Sequence, residues 1–140
     1  MVYNNKKKKV ALIGCGLIGQ SWAVSFLSAG FSVSLFDPTE GVTETAKEKI
    51  KEKLDDLQTH GLVNDEKISN FLNQIYLAQS LREAVQDVIY VQESGPEDLY
   101  IKKELTQNID KVTQENIPIA SSTSGIPSSS YAANVAGKSR

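Results

Sequence analysis

Three glycines, Gly14, Gly16 and Gly19, stand at the spacing G-x-G-x-x-G, and an acid, Asp37, follows eighteen positions after the last of them. Gly14 permits a tight turn, Gly16 lets backbone approach a pyrophosphate with no Cβ in the way, and Gly19 lets a helix pack closely on a strand. The N-terminus of such a helix offers free N–H groups and partial positive charge to a phosphate. Asp37 can accept hydrogen bonds from both hydroxyls of an adenosine ribose. The same carboxylate within roughly 4 Å of a 2′-phosphate would cost several kcal/mol at an effective dielectric near 20, and no arginine follows to relieve it. The chemistry is that of a dinucleotide site that prefers NAD to its phosphorylated relative.

Three other groups have reactive side chains. Cys15 is the only cysteine, and the field at a helix N-terminus should favour its thiolate, although a small side chain packed in the turn is the plainer account. His60, the only histidine, precedes Gly61 in the pattern of a helix C-terminus, which places it away from the crevice. Lys47, Lys49, Lys51 and Lys53 could meet an anion, but their spacing fits a solvated helix face, and the run Lys6 to Lys9 fits a solvated lead-in to a strand. No metal site is expected.

These residues need elements to position them. Val10 to Ile13 make an apolar strand, and Leu17, Ile18, Trp22, Ala23, Val24, Phe26 and Leu27 give a dense apolar helix face. Gly30 stops that helix before the alternating strand of Phe31, Val33 and Leu35. A helix from about Val42 to Thr59 buries Val42, Ala46, Ile50, Leu54 and Leu57, with Glu44–Lys47 and Glu48–Lys51 as surface pairs. Ile68, Phe71, Leu72 and Ile75 fit a shorter helix led by Asn64, Asp65 and Glu66, followed by a brief strand from Tyr76 to Ala78 and a helical turn from Leu81 to Gln86. Val88 to Val91 read as a strand covered on both faces, with Gln92 to Gly95 as its loop. Pro96, Glu97 and Asp98 open a helix with the stripe Ile101, Leu105, Ile109 and Val112, and Ile117 to Ala120 make a fifth strand. Strand and helix alternate throughout, which predicts an α/β fold, a Rossmann-type open parallel sheet with helices on both faces.

Composition sets the class. A chain of 140 residues, 40% hydrophobic, is one domain (1–140) with enough core to fold without staples. A net charge of −2 gives no general pull toward nucleic acid or anionic membrane, and no apolar run approaches a membrane span. No signal-peptide core follows Lys9, so a cytoplasmic location is expected.

Taken together, Gly14-Cys15-Gly16-Leu17-Ile18-Gly19 with Ser21-Trp22-Ala23, Phe36-Asp37, Gln92-Glu93-Ser94 leading to Pro96-Glu97 and Lys102, and Ser121-Ser122-Thr123-Ser124 with Pro127-Ser128 resemble the NAD-binding domain of the L-3-hydroxyacyl-CoA dehydrogenase family. The resemblance is strongest to its branch of lambda-crystallin, L-gulonate 3-dehydrogenase and L-carnitine dehydrogenase. It implies oxidation of a secondary alcohol (a 3-hydroxyacyl-CoA, gulonate or carnitine type) to a ketone by hydride transfer to NAD. It further implies that Leu17 and Ile18 line the pyrophosphate turn, that Asp37 holds the ribose, that Glu97 and Lys102 contact the cofactor, and that Ser124 hydrogen-bonds the reacting hydroxyl. The family's general base is a histidine beyond the serine segment, oriented by a glutamate, with an asparagine later still, and none of the three is present in this chain. The last strands and the helical second domain, which makes the family's homodimer, are expected to be absent too. The resemblance therefore implies a chain that binds NAD but does not turn over a small-molecule substrate unaided. Two alternatives are a non-catalytic NAD-binding or redox-sensing module, the latter through Cys15, and a structural protein on a dehydrogenase fold.

Overall fold

The structure, a computed structural model, describes residues 8–140. Lys6 and Lys7 of the lysine run lie outside the described residues. In chain order the elements are β1 (Lys9–Ile13), α1 (Leu17–Ser28), β2 (Ser32–Phe36), α2 (Val42–Thr59), α3 (Asp65–Leu72), β3 (Ile75–Leu77), α4 (Leu81–Ala84), β4 (Tyr90–Glu93), α5 (Leu99–Val112), β5 (Ile119–Ser121) and α6 (Ser128–Tyr131). All neighbouring strands pair in parallel, in the order β3-β2-β1-β4-β5.

The alternation of side chains along β1 divides its apolar run between two cores. Val10 and Leu12 join Val33 and Leu35 beneath Ala23 and Leu27 of α1 and Ala46, Ile50 and Leu54 of α2. Ala11 and Ile13 join Val91 beneath Ala84 of α4 and Ile109 of α5. A central strand buried on both faces can be apolar at every position. The chain runs outward from β1 to β3 on one side and returns to β4 and β5 on the other, so the strand order reverses beside β1. A crevice opens there, outside the carboxyl ends of the strands.

Several boundaries and faces differ from the sequence reading, each for a local reason. In α1 only Gly19, Ala23 and Leu27 are buried, whereas Leu17 is 68% and Ile18 53% exposed. The helix rests on a narrow i, i+4, i+8 line, and its apolar first turn faces solvent. On α2 the ion pairs are Lys49–Glu52 at 2.8 Å and Lys51–Asp55 at 2.6 Å, in place of the two predicted. β3 begins one residue early at Ile75, while β4 and β5 each begin two residues late. Gln92 and Glu93, read as loop, are consequently buried strand residues. Asp98 caps α5 by accepting from the N–H groups of Tyr100 and Ile101, so Pro96 and Glu97 precede the helix and do not open it. Lys102 and Ile109 are the buried residues of α5, and Ile101 is exposed.

The end of α2 is as expected. His60 sets its Nδ1 2.8 Å from the Asp56 carbonyl oxygen, and Gly61 follows at φ +73°. Eighteen residues of helix put this end about 27 Å from the end near Asp37. Among the described residues no helix is long and apolar enough to cross a membrane.

Candidate functional site

One side of the crevice is built from backbone. Gly14 has φ +92° and donates its N–H to the Phe36 carbonyl at 2.9 Å, and a Cβ there would stand 2.7 Å from the Ser94 carbonyl. A Cβ on Gly19 would run into the Gly14 carbonyl oxygen. Around Gly16 the space is open: no atom lies within 4 Å of where its Cβ would be. The residue begins α1 with extended backbone and no side-chain cap. The N–H groups of the first turn are thus left to a ligand that approaches over Gly16.

Asp37 completes this side from the end of β2. Its Oδ2 accepts the Cys15 N–H and its Oδ1 the Thr39 N–H, each at 3.0 Å. Each carboxylate oxygen keeps a lone pair for a ribose hydroxyl. Gly14, Gly16 and Asp37 share a cleft of about 480 Å³ with Val42, Ser94 and Ile101. A neighbouring hollow of about 510 Å³ shares Pro38, Ile101 and Leu105 with it, which accounts for the exposure of Ile101. A dinucleotide has both room and partners here.

Cys15 takes the plainer of its two readings, a small side chain packed in the turn. Its side chain is only 2% exposed and belongs to the core, where burial foremost, and then the negative charge of Asp37, push the thiol up to about 12. The helix field favours a thiolate, yet the side chain points away from it into apolar surroundings.

The other side of the crevice is built from side chains. Buried Glu93 takes the Gly95 N–H at 2.5 Å and the Lys102 ammonium at 2.7 Å on Oε1, and the Ser121 hydroxyl at 2.5 Å on Oε2. Lys102, 1% exposed, also donates to the Gly95 carbonyl at 2.9 Å. Its charge is spent behind the loop, and the crevice sees only the loop it holds. Glu97 lies at the surface and reaches across to the serine segment. Its Oε1 accepts the Thr123 hydroxyl at 2.6 Å and the N–H groups of Gly125 at 3.0 Å and Ser124 at 3.2 Å. The Thr123 hydroxyl, followed by the Gly125 N–H, lowers its pKa below the ordinary carboxylate range. Ser124 is exposed, and its hydroxyl engages no partner among the described residues. Deeper in, the Ser122 hydroxyl gathers Trp22, Gln92 and Ser94.

The fold therefore brings Gly14, Gly16 and Asp37 into one cleft, leaves Leu17 and Ile18 exposed on the first turn of α1, and joins Glu97 to the backbone of Ser124. Lys102 stands behind. Sequence reading missed Glu93, Ser121, Ser122 and Thr123 as partners in this scaffold. One signal was present: Lys102 lies seven residues before Ile109, at a core position of the helical period.

Comparison with known proteins is consistent with this geometry. Residues 9–140 match the family described as "3-hydroxyacyl-CoA dehydrogenase, NAD binding domain". A 3-hydroxyacyl-CoA dehydrogenase of Gibberella moniliformis is 40% identical over 124 residues, covering 89% of this chain and 37% of the relative. A lambda-crystallin homolog of Bos taurus is 37% identical over 116 residues, covering 82% and 36%. The crystal structure of M. tuberculosis FadB2 superposes with a TM-score of 0.89 at 26% identity, over 96% of this chain and 47% of that one. The chain thus spans a little over a third of the length of the curated relatives it matches.

Proposed function

This chain belongs to the 3-hydroxyacyl-CoA dehydrogenase family as an NAD-binding domain, and from that premise we propose that it is the cofactor-holding part of an oxidoreductase that takes a secondary alcohol to a ketone. The substrate class is a 3-hydroxyacyl-CoA or a hydroxy acid of the gulonate or carnitine type. NAD, when bound, supplies the hydride acceptor. In this reading Gly14 and Gly19 shape the turn, Gly16 admits the pyrophosphate, and Leu17 and Ile18 flank it. Asp37 holds the adenosine ribose. Glu97 and Lys102 order the opposite rim, Lys102 as a positioning residue through Glu93 and Gly95. Ser124 donates to or accepts from the reacting hydroxyl.

The observation that carries this reading is the contrast among the three glycines. At Gly14 and Gly19 a Cβ meets protein, while at Gly16 it meets nothing, and that opening faces the same cleft as Asp37. Ser124 can hold a hydroxyl but cannot serve as base near neutral pH. The sole histidine, His60, lies at the far end of α2. We therefore expect these 140 residues to bind NAD and to turn over alcohol at least about 10²-fold more slowly than a family member carrying its base. The distance of His60 also favours a second reading, a non-catalytic NAD-binding module. The redox-sensing form of it loses its support with the buried, protonated Cys15.

Trp22 is the only tryptophan, and it sits on the helix at the crevice, so its emission reports binding. NADH should quench it, Asp37→Ala should weaken binding by about ten- to a hundredfold, and Lys47→Ala should leave it unchanged. No quenching and no heat of binding with well-folded protein would end the proposal. Adding the carboxyl-terminal part of the Gibberella relative separates the two readings, since alcohol-dependent NADH formation would support only the first.

A further inference from the structure

Five side chains from three parts of the fold form one hydrogen-bonded chain, and counting its protons gives it a direction. The Tyr90 hydroxyl donates to Gln92 Oε1 at 2.7 Å, and Gln92 Nε2 donates to Ser122 Oγ at 2.9 Å. Trp22 Nε1 donates to the same Ser122 Oγ at 3.0 Å. An indole nitrogen only donates, and an amide nitrogen only donates, so both lone pairs of the Ser122 hydroxyl are taken. Its single proton is left for Ser94 Oγ, 2.8 Å away. Ser94 receives that proton and cannot return its own to Ser122. The Ser94 hydroxyl proton is therefore left unspent by the set, and unlike the second amide proton of buried Gln92 it sits on a residue that lines the cleft with Gly14, Gly16 and Asp37.

Position decides what that proton meets. Asp37 follows β2, on one side of β1, and Ser94 follows β4, on the other. A dinucleotide laid across the switch point puts its adenosine half toward Asp37 and its pyrophosphate over Gly16, so its other half lies on the Ser94 side. We infer that Ser94, oriented by Ser122, is a cofactor-positioning residue whose hydroxyl donates to an oxygen of the nicotinamide-side ribose. The inference rests on the crevice being the NAD site. It assigns Ser94 a task distinct from that of Ser124, which is exposed and is held by its backbone N–H on Glu97, its hydroxyl having no partner among the described residues.

The test is a ligand series on the full 140-residue chain, read by calorimetry with NADH, ADP-ribose and ADP. ADP-ribose keeps the second ribose and ADP lacks it. Ser94→Ala should weaken NADH and ADP-ribose about three- to tenfold and leave ADP unchanged, the loss expected for one neutral hydrogen bond. Ser94→Thr, which keeps the hydroxyl, should restore most of it. Equal affinities for all three ligands in wild type and Ser94→Ala would overturn the inference, and so would an equal loss for ADP. Failure of the underlying site would look different: wild type would bind no NADH, or Asp37→Ala would bind it as well as wild type does.

Discussion

The two sides of the crevice are made by different means. On the β1–β2 side the contacts are backbone to backbone, or one carboxylate to backbone, within a segment running from Gly14 to Thr39. On the β4–β5 side most contacts use a side chain, and many join two side chains from residues 9 to 100 positions apart. On the first side the backbone contacts have no rotamers to lose, and Asp37 is the side chain they depend on. The second holds its shape only while each polar partner is present, which makes it the side where single substitutions should spread furthest.

Removing Lys102 is the most severe way to break this contrast. Lys102→Met would strand the buried Glu93 carboxylate, and breaking a buried pair by one partner costs about 3–5 kcal/mol. Urea unfolding should show that loss, and the double variant Lys102→Met with Glu93→Leu should recover much of it, since replacing both charges by apolar groups is often neutral. An undiminished midpoint for Lys102→Met would show that the β4–β5 side does not depend on the pair.

The glycines provide the matching test on the backbone side. Gly19→Ala forces a methyl against the Gly14 carbonyl oxygen and should cost about 1–3 kcal/mol together with NADH binding. Gly16→Ala meets open space at an ordinary extended backbone, φ −70° and ψ −167°. It should leave stability unchanged or raise it by up to about 1 kcal/mol while weakening NADH. Thermal melts with and without NADH separate the two, and equal destabilisation by both would erase the distinction between a packing glycine and a ligand glycine.

That distinction explains what could be read beforehand. The glycine spacing, the offset to Asp37 and the strand–helix alternation are local patterns, and from them follow the turn, the acid beside it and an open parallel α/β sheet. The β4–β5 side resisted because its chemistry contradicts local pattern. Glu93 is a buried acid in a strand, acceptable only because Lys102 and Ser121 meet it from other elements. Reading Gln92 and Glu93 as loop followed from their polarity and missed that compensation. Glu97, likewise, was read as a helix-opening acid, whereas its partners lie 26 to 28 residues away. The three start shifts, of β3, β4 and β5, follow from pairing register, which an apolar run alone does not specify.

Cys15 shows how little the backbone side asks of its side chains. Its N–H serves Asp37 while its thiol is core, with the folded pKa raised from 9.0 to about 12. A raised value means the folded state keeps a proton that the unfolded chain gives up. The associated stability is complete below pH 9 and falls away as pH climbs toward 12, by at most about 1.4 kcal/mol per unit. Between pH 8 and 10.5 wild type should therefore lose up to about 2 kcal/mol more than Cys15→Ala loses over the same interval. Rapid alkylation of folded protein at pH 8, or identical pH dependence in the two proteins, would contradict a buried neutral thiol.

The smallest expected effect lies at the surface. Glu97 has its folded pKa lowered, chiefly by the Thr123 hydroxyl and then by the Gly125 N–H, so the joint between the two loops is complete above the ordinary carboxylate pKa and is lost as pH falls through the lowered value. Amide NMR shifts of Ser124 and Gly125 should titrate together with a midpoint below about 4.3, the unperturbed glutamate value, and Glu97→Gln should abolish that step. Global stability should hardly change, because the group is exposed and solvent-screened. A step at the ordinary glutamate pKa, or its persistence in Glu97→Gln, would mean that the serine segment is held without Glu97. In that case the β4–β5 side would owe its order to the buried pair of Glu93 and Lys102 and to the hydrogen bonds of Ser121 and Ser122.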